Sequence, residues 1–71
     1  MDIKNEIHTL IVNQIESKGK RPTKLYVTDE KEEDFIFLNP YPNISLSPRE
    51  AFKNGIFGLK IIWNAEVFKV E

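Results

Sequence analysis

The chain has 71 residues, with ten Lys and Arg, eleven Asp and Glu, one His and no Cys, and a formal net charge of −1. That composition excludes a disulfide framework, a thiolate nucleophile and a Cys-based zinc site, and one His leaves no two-His metal site within one chain. The near-neutral charge excludes a strongly basic nucleic-acid binder, though not a local basic patch.

The first segment reads as an amphipathic helix. Ile3, Ile7, Leu10, Ile11 and Ile15 share one face at 3.6 residues per turn, with Ile11 near its centre. Asp2 is placed as the N-cap, because its carboxylate can accept free N–H groups of the first turn. Gly19 is placed to stop the helix, with Pro22 close behind. Lys24–Thr28 has strand composition, with Leu25 and Val27 on one side and Tyr26 and Thr28 on the other.

Residues 29–38 admit two readings. Asp29–Asp34 holds five acids in six positions, and Phe35–Leu38 follows as an unbroken apolar run. In one reading Thr28 caps a helix whose first turns carry the acids, complementing the positive end of the macrodipole. In the other, the acids form a turn and Phe35–Leu38 a strand. The short, aromatic and β-branched run favours the strand, since a helix would want apolar residues at positions 31 and 32.

Asn39–Asn43, with prolines on both sides of Tyr41, reads as a loop. Ser47-Pro48-Arg49-Glu50 is a capping box with Pro at the first helical position, opening a short helix through about Asn54 that Gly55 ends. Ala51 and Phe52 are its core residues. The last third reads as a hairpin. Phe57, Leu59, Ile61 and Trp63 alternate on one face of a strand 56–62, and Phe68 and Val70 on a strand 66–70. A two-residue loop at Asn64-Ala65 would set Ile61 opposite Phe68 and Leu59 opposite Val70, with Lys60 opposite Lys69 on the outer face. Ala at the second loop position suits a type I′ turn poorly, so a longer loop stays open. Gly58, inside that strand, suggests a bulge or a close backbone approach.

The fold class expected is α+β, as a single domain over residues 1–71. A long N-terminal helix packs on a small three- to four-stranded, mostly antiparallel sheet. A short second helix precedes a C-terminal β-hairpin.

Charge is unevenly placed. Residues 1–28 carry five cations and three anions, residues 29–34 one and five, and the remainder four and three. Lys18, Lys20, Arg21 and Lys24 are the candidate nucleic-acid contacts. The acidic run lacks the spaced ligands and the Gly of a calcium loop and reads as solvated. His8, at the edge of the helical stripe, reads as a partly exposed boundary residue. Ser47 reads as a cap. No catalytic residue, metal site or cofactor is expected. Tyr41, Ile62, Trp63 and Val67 are the candidate interface residues. In the register above, Ile62 and Val67 point outward with Trp63 at the adjoining turn, an apolar strip that suits a partner or a second copy. The competing reading covers that strip with the 48–54 helix or the Asn39–Asn43 loop.

Two stretches carry a family likeness. Gly19-Lys20-Arg21-Pro22-Thr23-Lys24-Leu25-Tyr26-Val27 has the form helix, G-x-x-P-T, strand, and Gly55-Ile56-Phe57-Gly58-Leu59-Lys60-Ile61-Ile62 that of a G-x-x-G-hydrophobic closing strand. Together they resemble small uncharacterised proteins encoded by bacteriophages and prophages. The resemblance implies a phage or prophage origin and an α+β fold. It also implies a helix after the first strand, from which Phe35–Leu38 departs. It carries over no catalytic or binding residue.

The function expected is that of a non-enzymatic protein-interaction or assembly module, with an unidentified protein partner or self-association. The alternative is a nucleic-acid-binding accessory protein using the 18–24 cluster. No apolar run approaches the roughly 18–20 residues of a membrane span. Charges at Asp2, Lys4 and Glu6 stand where a signal peptide is apolar. A cytoplasmic location without a membrane partner follows as the expectation.

Overall fold

The first helix, α1, runs Ile3–Lys18. Asp2 accepts the Asn5 N–H at 2.9 Å at its start, and Gly19, in the left-handed region, returns its N–H to the Ile15 carbonyl at 2.9 Å at its end. The computed structural model describes residues 2–38 and 46–71. The reading of Tyr41 and of the Asn39–Asn43 loop therefore lies outside the described residues. After α1 come β1 (Lys24–Tyr26), α2 (Asp29–Glu32), a 3₁₀ helix (Glu33–Leu38), α3 (Pro48–Ala51), β2 (Lys60–Ile62) and β3 (Lys69–Val70). The fold is α+β, as the sequence suggested.

Residues 29–38 are helical, so the strand reading of Phe35–Leu38 is corrected. Thr28 is an N-cap whose hydroxyl accepts the Lys31 N–H at 3.3 Å. Lys31 fills the place where an apolar residue was wanted. Its ammonium bonds to both carboxylate oxygens of Glu6 at 3.0 and 2.9 Å and stands 5.4 Å over the Phe68 ring. A long aliphatic stem with a paired head thus serves at a half-buried position. Of the apolar run, Phe35 is fully buried and Leu38 packs on the core, while Ile36 and Phe37 are exposed.

The C-terminal third is not a hairpin. β2 and β3 do not pair with each other but flank β1, giving the order β2-β1-β3. β2 is parallel to β1, with Lys24, Leu25 and Tyr26 opposite Lys60, Ile61 and Ile62. β3 is antiparallel, with Leu25 opposite Val70 and Tyr26 opposite Lys69. The sheet is therefore mixed, and its strands are shorter than expected. The segment meant for a hairpin loop instead crosses the end of β1. The Val27 N–H donates to the Ile62 carbonyl at 2.9 Å, and the Ala65 N–H donates to the Val27 carbonyl at 3.0 Å. Asn64 takes φ 58 there. With its amide nitrogen turned to Asp29, it donates to both carboxylate oxygens at 3.1 and 3.2 Å.

Ahead of β2, residues 56–59 form a turn rather than strand. Ile56 and Leu59 exchange both backbone hydrogen bonds, at 3.0 and 2.8 Å, around Phe57 (φ 51) and Gly58 (φ 78). Two positive φ values are what a type I′ turn requires. Phe57 is bulky for that region. It is held by an Arg21 Nη2 hydrogen bond to its carbonyl at 3.1 Å and by the His8 ring at 4.6 Å. At α3, Ser47 caps the Glu50 N–H at 3.4 Å with Pro48 at the start, and the helix is shorter than the sequence suggested.

The core is Ile3, Ile7, Ile11, Leu25, Val27, Phe35, Phe52 and Leu59, with Ala51, Phe57, Ile61, Trp63, Phe68 and Val70 packed around it. Phe35 is its hub, meeting Phe52 at 5.5 Å and Trp63 at 5.4 Å edge to face. The helical stripe is narrower than expected: Ile7 is 0% exposed, Leu10 half-buried and Ile15 43% exposed, because α1 runs on past the core.

Ile7→Ala is expected to cost about 2–5 kcal/mol, Ile11→Ala about as much, and Ile15→Ala under about 1 kcal/mol. Urea unfolding checks the contrast, and equal losses at positions 7 and 15 would contradict the packing. An ideal Cβ on Gly55, where φ is 87°, would stand 2.0 Å from the Leu59 carbonyl oxygen, while one on Gly19 meets nothing within 4 Å. Gly55→Ala is therefore expected to cost more than about 2 kcal/mol and Gly19→Ala about 1 kcal/mol. Their thermal midpoints should rank accordingly.

Candidate functional site

Side chains alternate across a strand, and residues paired between strands share a face. The register puts Ile61, Leu25 and Val70 on the inner face, under α1 and Phe35. The outer face then carries one row of Ile62, Tyr26 and Lys69 and another of Lys60 and Lys24. Glu71 continues the second row. It exchanges backbone hydrogen bonds with Lys24 at 3.0 and 3.1 Å, and its carboxylate lies 3.4 Å from the Lys69 ammonium. Tyr26 and Ile62 are half-buried, and the three lysines are exposed. Lys69 Nζ stands 5.1 Å from the Tyr26 ring centroid.

The candidate interface residues are thus divided. Ile62 is on the outer face. Val67, 59% exposed, joins Tyr26, Ile62 and Lys69 in lining a shallow depression of about 370 Å³. The hairpin pairing of Ile62 with Val67 is absent, yet the two line the same depression. Trp63 also lines it, but its ring packs on Phe35 and lies 5.9 Å from the Arg49 guanidinium carbon. Phe52, the large apolar residue of the 48–54 segment that the competing reading lays over the strip, is buried against Phe35.

The basic cluster is divided too. Lys18 closes α1, Lys20 is exposed in the connection, and Arg21 turns to the Phe57 carbonyl. Lys24 lies on β1, and the parallel pairing brings Lys60 beside it, a residue 36 positions away that no local pattern links to the cluster. The alternation of Tyr26 against Leu25 and Val27 was the one available signal for its outward position.

The acids follow a different logic. Lys31 pairs with Glu6, and Arg49 with Glu32 at 3.0 Å, tying α2 to α1 and to α3. The hydrogen bond to Glu6 raises the Lys31 pKa above 10.5 against the lowering effect of its burial. The bond to Glu32 raises that of Arg49. Among the described residues no three His, Asp or Glu side chains gather into a metal-binding group. No described helix is long and apolar enough to cross a membrane. Phe37, 87% exposed, and Ile36, 58% exposed, are further open apolar residues of the 3₁₀ helix, Phe37 beside Asp2–Lys4 and Ile36 beside Pro48 and Arg49. No family model, curated protein or solved structure matches the chain.

The Lys31–Glu6 pair gives a signed pH dependence. A raised folded-state pKa means that the stabilisation is complete below about pH 10.5 and is lost as pH rises through the raised value. Because both side chains are partly solvated, its size is expected to stay under about 1 kcal/mol. A double-mutant cycle of Glu6→Gln with Lys31→Met, by urea unfolding, should show coupling at pH 7 that declines as pH rises above 10.5.

Proposed function

We propose that this chain is a non-enzymatic binding module that works through the outer face of its sheet. The observation that carries this reading is the contrast between the two faces. Leu25, at the centre of the sheet, is 0% exposed, while Tyr26 and Ile62 behind it stay half-open and Val67 beside them is 59% exposed. A small domain gains stability by covering such residues, and contiguous open apolar surface with a polar rim marks contact sites. The lysines around the row supply that rim. Phe37 carries less weight, because the chain continues from it into residues outside the described set.

Val67→Lys is expected to leave the thermal midpoint nearly unchanged, since the residue is 59% exposed. A photo-crosslinking residue at position 67 in the full chain, irradiated in a lysate of its native cells, should give discrete adducts. The same residue at Glu16, exposed on α1, should not. Equal labelling from the two positions, or none from position 67, would contradict the outer face as the binding surface.

A further inference from the structure

Lys24, Lys60 and Lys69 come from three strands, and the register alone gathers them around Tyr26. Lys24 and Lys60 are direct cross-strand neighbours, on strands about 4.8 Å apart. Like charges placed opposite each other cost folding energy. Among the described residues neither lysine has a carboxylate within ion-pair distance. An anionic group bridging the two ammonium heads would relieve that repulsion. The cations on the acidic side, Lys31 and Arg49, are by contrast already paired within the molecule.

We propose that this face binds single-stranded nucleic acid, with Tyr26 as a stacking platform and Lys24, Lys60 and Lys69 as phosphate contacts. The proposal rests on the outer face being the binding surface, and it names the partner. An acidic peptide would need only the cations. The half-open ring between them suits a ligand carrying flat bases as well as regular anions. Lys69, now 5.1 Å over that ring and 3.4 Å from the Glu71 carboxylate, is exposed and would exchange both contacts for a phosphate as a base takes its place. A duplex keeps its base faces stacked and offers the ring nothing. Glu71 and Glu66, the carboxylates near this face, hold the affinity down and make it depend on the few lysines.

The test is fluorescence anisotropy of a labelled mixed-sequence DNA strand of about 20 nucleotides with the full chain, between about 50 and about 200 mM salt. Three phosphate contacts predict a log–log salt slope of about −2, so affinity falls roughly 20-fold over that range. The Lys24→Ala, Lys60→Ala double variant should flatten the slope to about −0.7, because one contact remains. Tyr26→Leu should weaken binding at least about fivefold at unchanged slope, while Tyr26→Phe restores it. Circular dichroism verifies that each variant folds. No binding at the lower salt, an unchanged slope in the double variant, or indifference to Tyr26→Leu would overturn the proposal. If adducts at position 67 are with protein and the oligonucleotide does not bind, the proposal fails while the outer-face reading stands. If position 67 gives no adducts, that reading fails as well.

Discussion

The structure hangs on a three-residue strand that is served on both sides by segments from the far end of the chain. β1 alone cannot bury Leu25, and its backbone groups would be left without partners. β2 covers one edge in parallel and β3 the other antiparallel, and Ile62 at the end of β2 and Ala65 in the connection after it take up the N–H and the carbonyl of Val27. Leu25 and Val27 are completely buried as a result. Once the register around Leu25 is set, the inner row of Ile61, Leu25 and Val70 and the outer row of Ile62, Tyr26 and Lys69 follow without further choice.

That arrangement demands sharp changes of direction in few residues. The chain must leave α3, turn, and enter β2 in line with β1. Gly55 admits the close approach of the Leu59 carbonyl, and the Phe57-Gly58 turn closes on itself with two backbone bonds. Phe57 tolerates its conformation because Arg21 and His8 grip it from outside. The link between the 20–21 connection and this turn gives Arg21 a structural duty, and it separates that residue from the lysines that it adjoins in sequence.

Charge is sorted by the same topology. The acids of 29–34 lie on helical backbone, where Lys31 and Arg49 reach across to Glu6 and Glu32 and fasten three helices together. Of the other cations, Lys18, Lys20 and Arg21 fall at the end of α1 and in the connection after it, Lys24, Lys60 and Lys69 on the outer sheet face, and Lys4 and Lys53 at the start of α1 and just past α3. A chain with net charge −1 therefore presents a local group of lysines on the outer face, because the acids of 29–34 lie on the helices, although Glu66 and Glu71 stay beside it. Fold and proposed binding face are thus two results of one register, with the inner row making the core and the outer row facing solvent.

Several elements were legible in the residues themselves. Asp2, Gly19, Ser47 and Pro48 marked helix ends correctly, because caps satisfy backbone groups of their own first or last turn and depend on nothing distant. The apolar spacing of Ile3, Ile7 and Ile11 fixed the buried side of α1 for the same local reason. Where the core stops is not local, and so Ile15 was misplaced. Phe35–Leu38 read as strand because a four-residue apolar run has no period of its own. The Thr28 cap, the Lys31–Glu6 pair and the burial of Phe35 among Phe52 and Trp63 decided for helix. The apolar alternation of 57–63 and 68–70 correctly named inward residues but gave no strand partner, since any strand of matching face can satisfy an alternating pattern. Pairing with β1 instead of a hairpin was settled by tertiary structure, because the helices between β1 and β2 return the chain in the parallel sense. Lys60 came to Lys24, and not to Lys69, for that reason alone: residues 36 positions apart become neighbours only when a shared strand edge joins them.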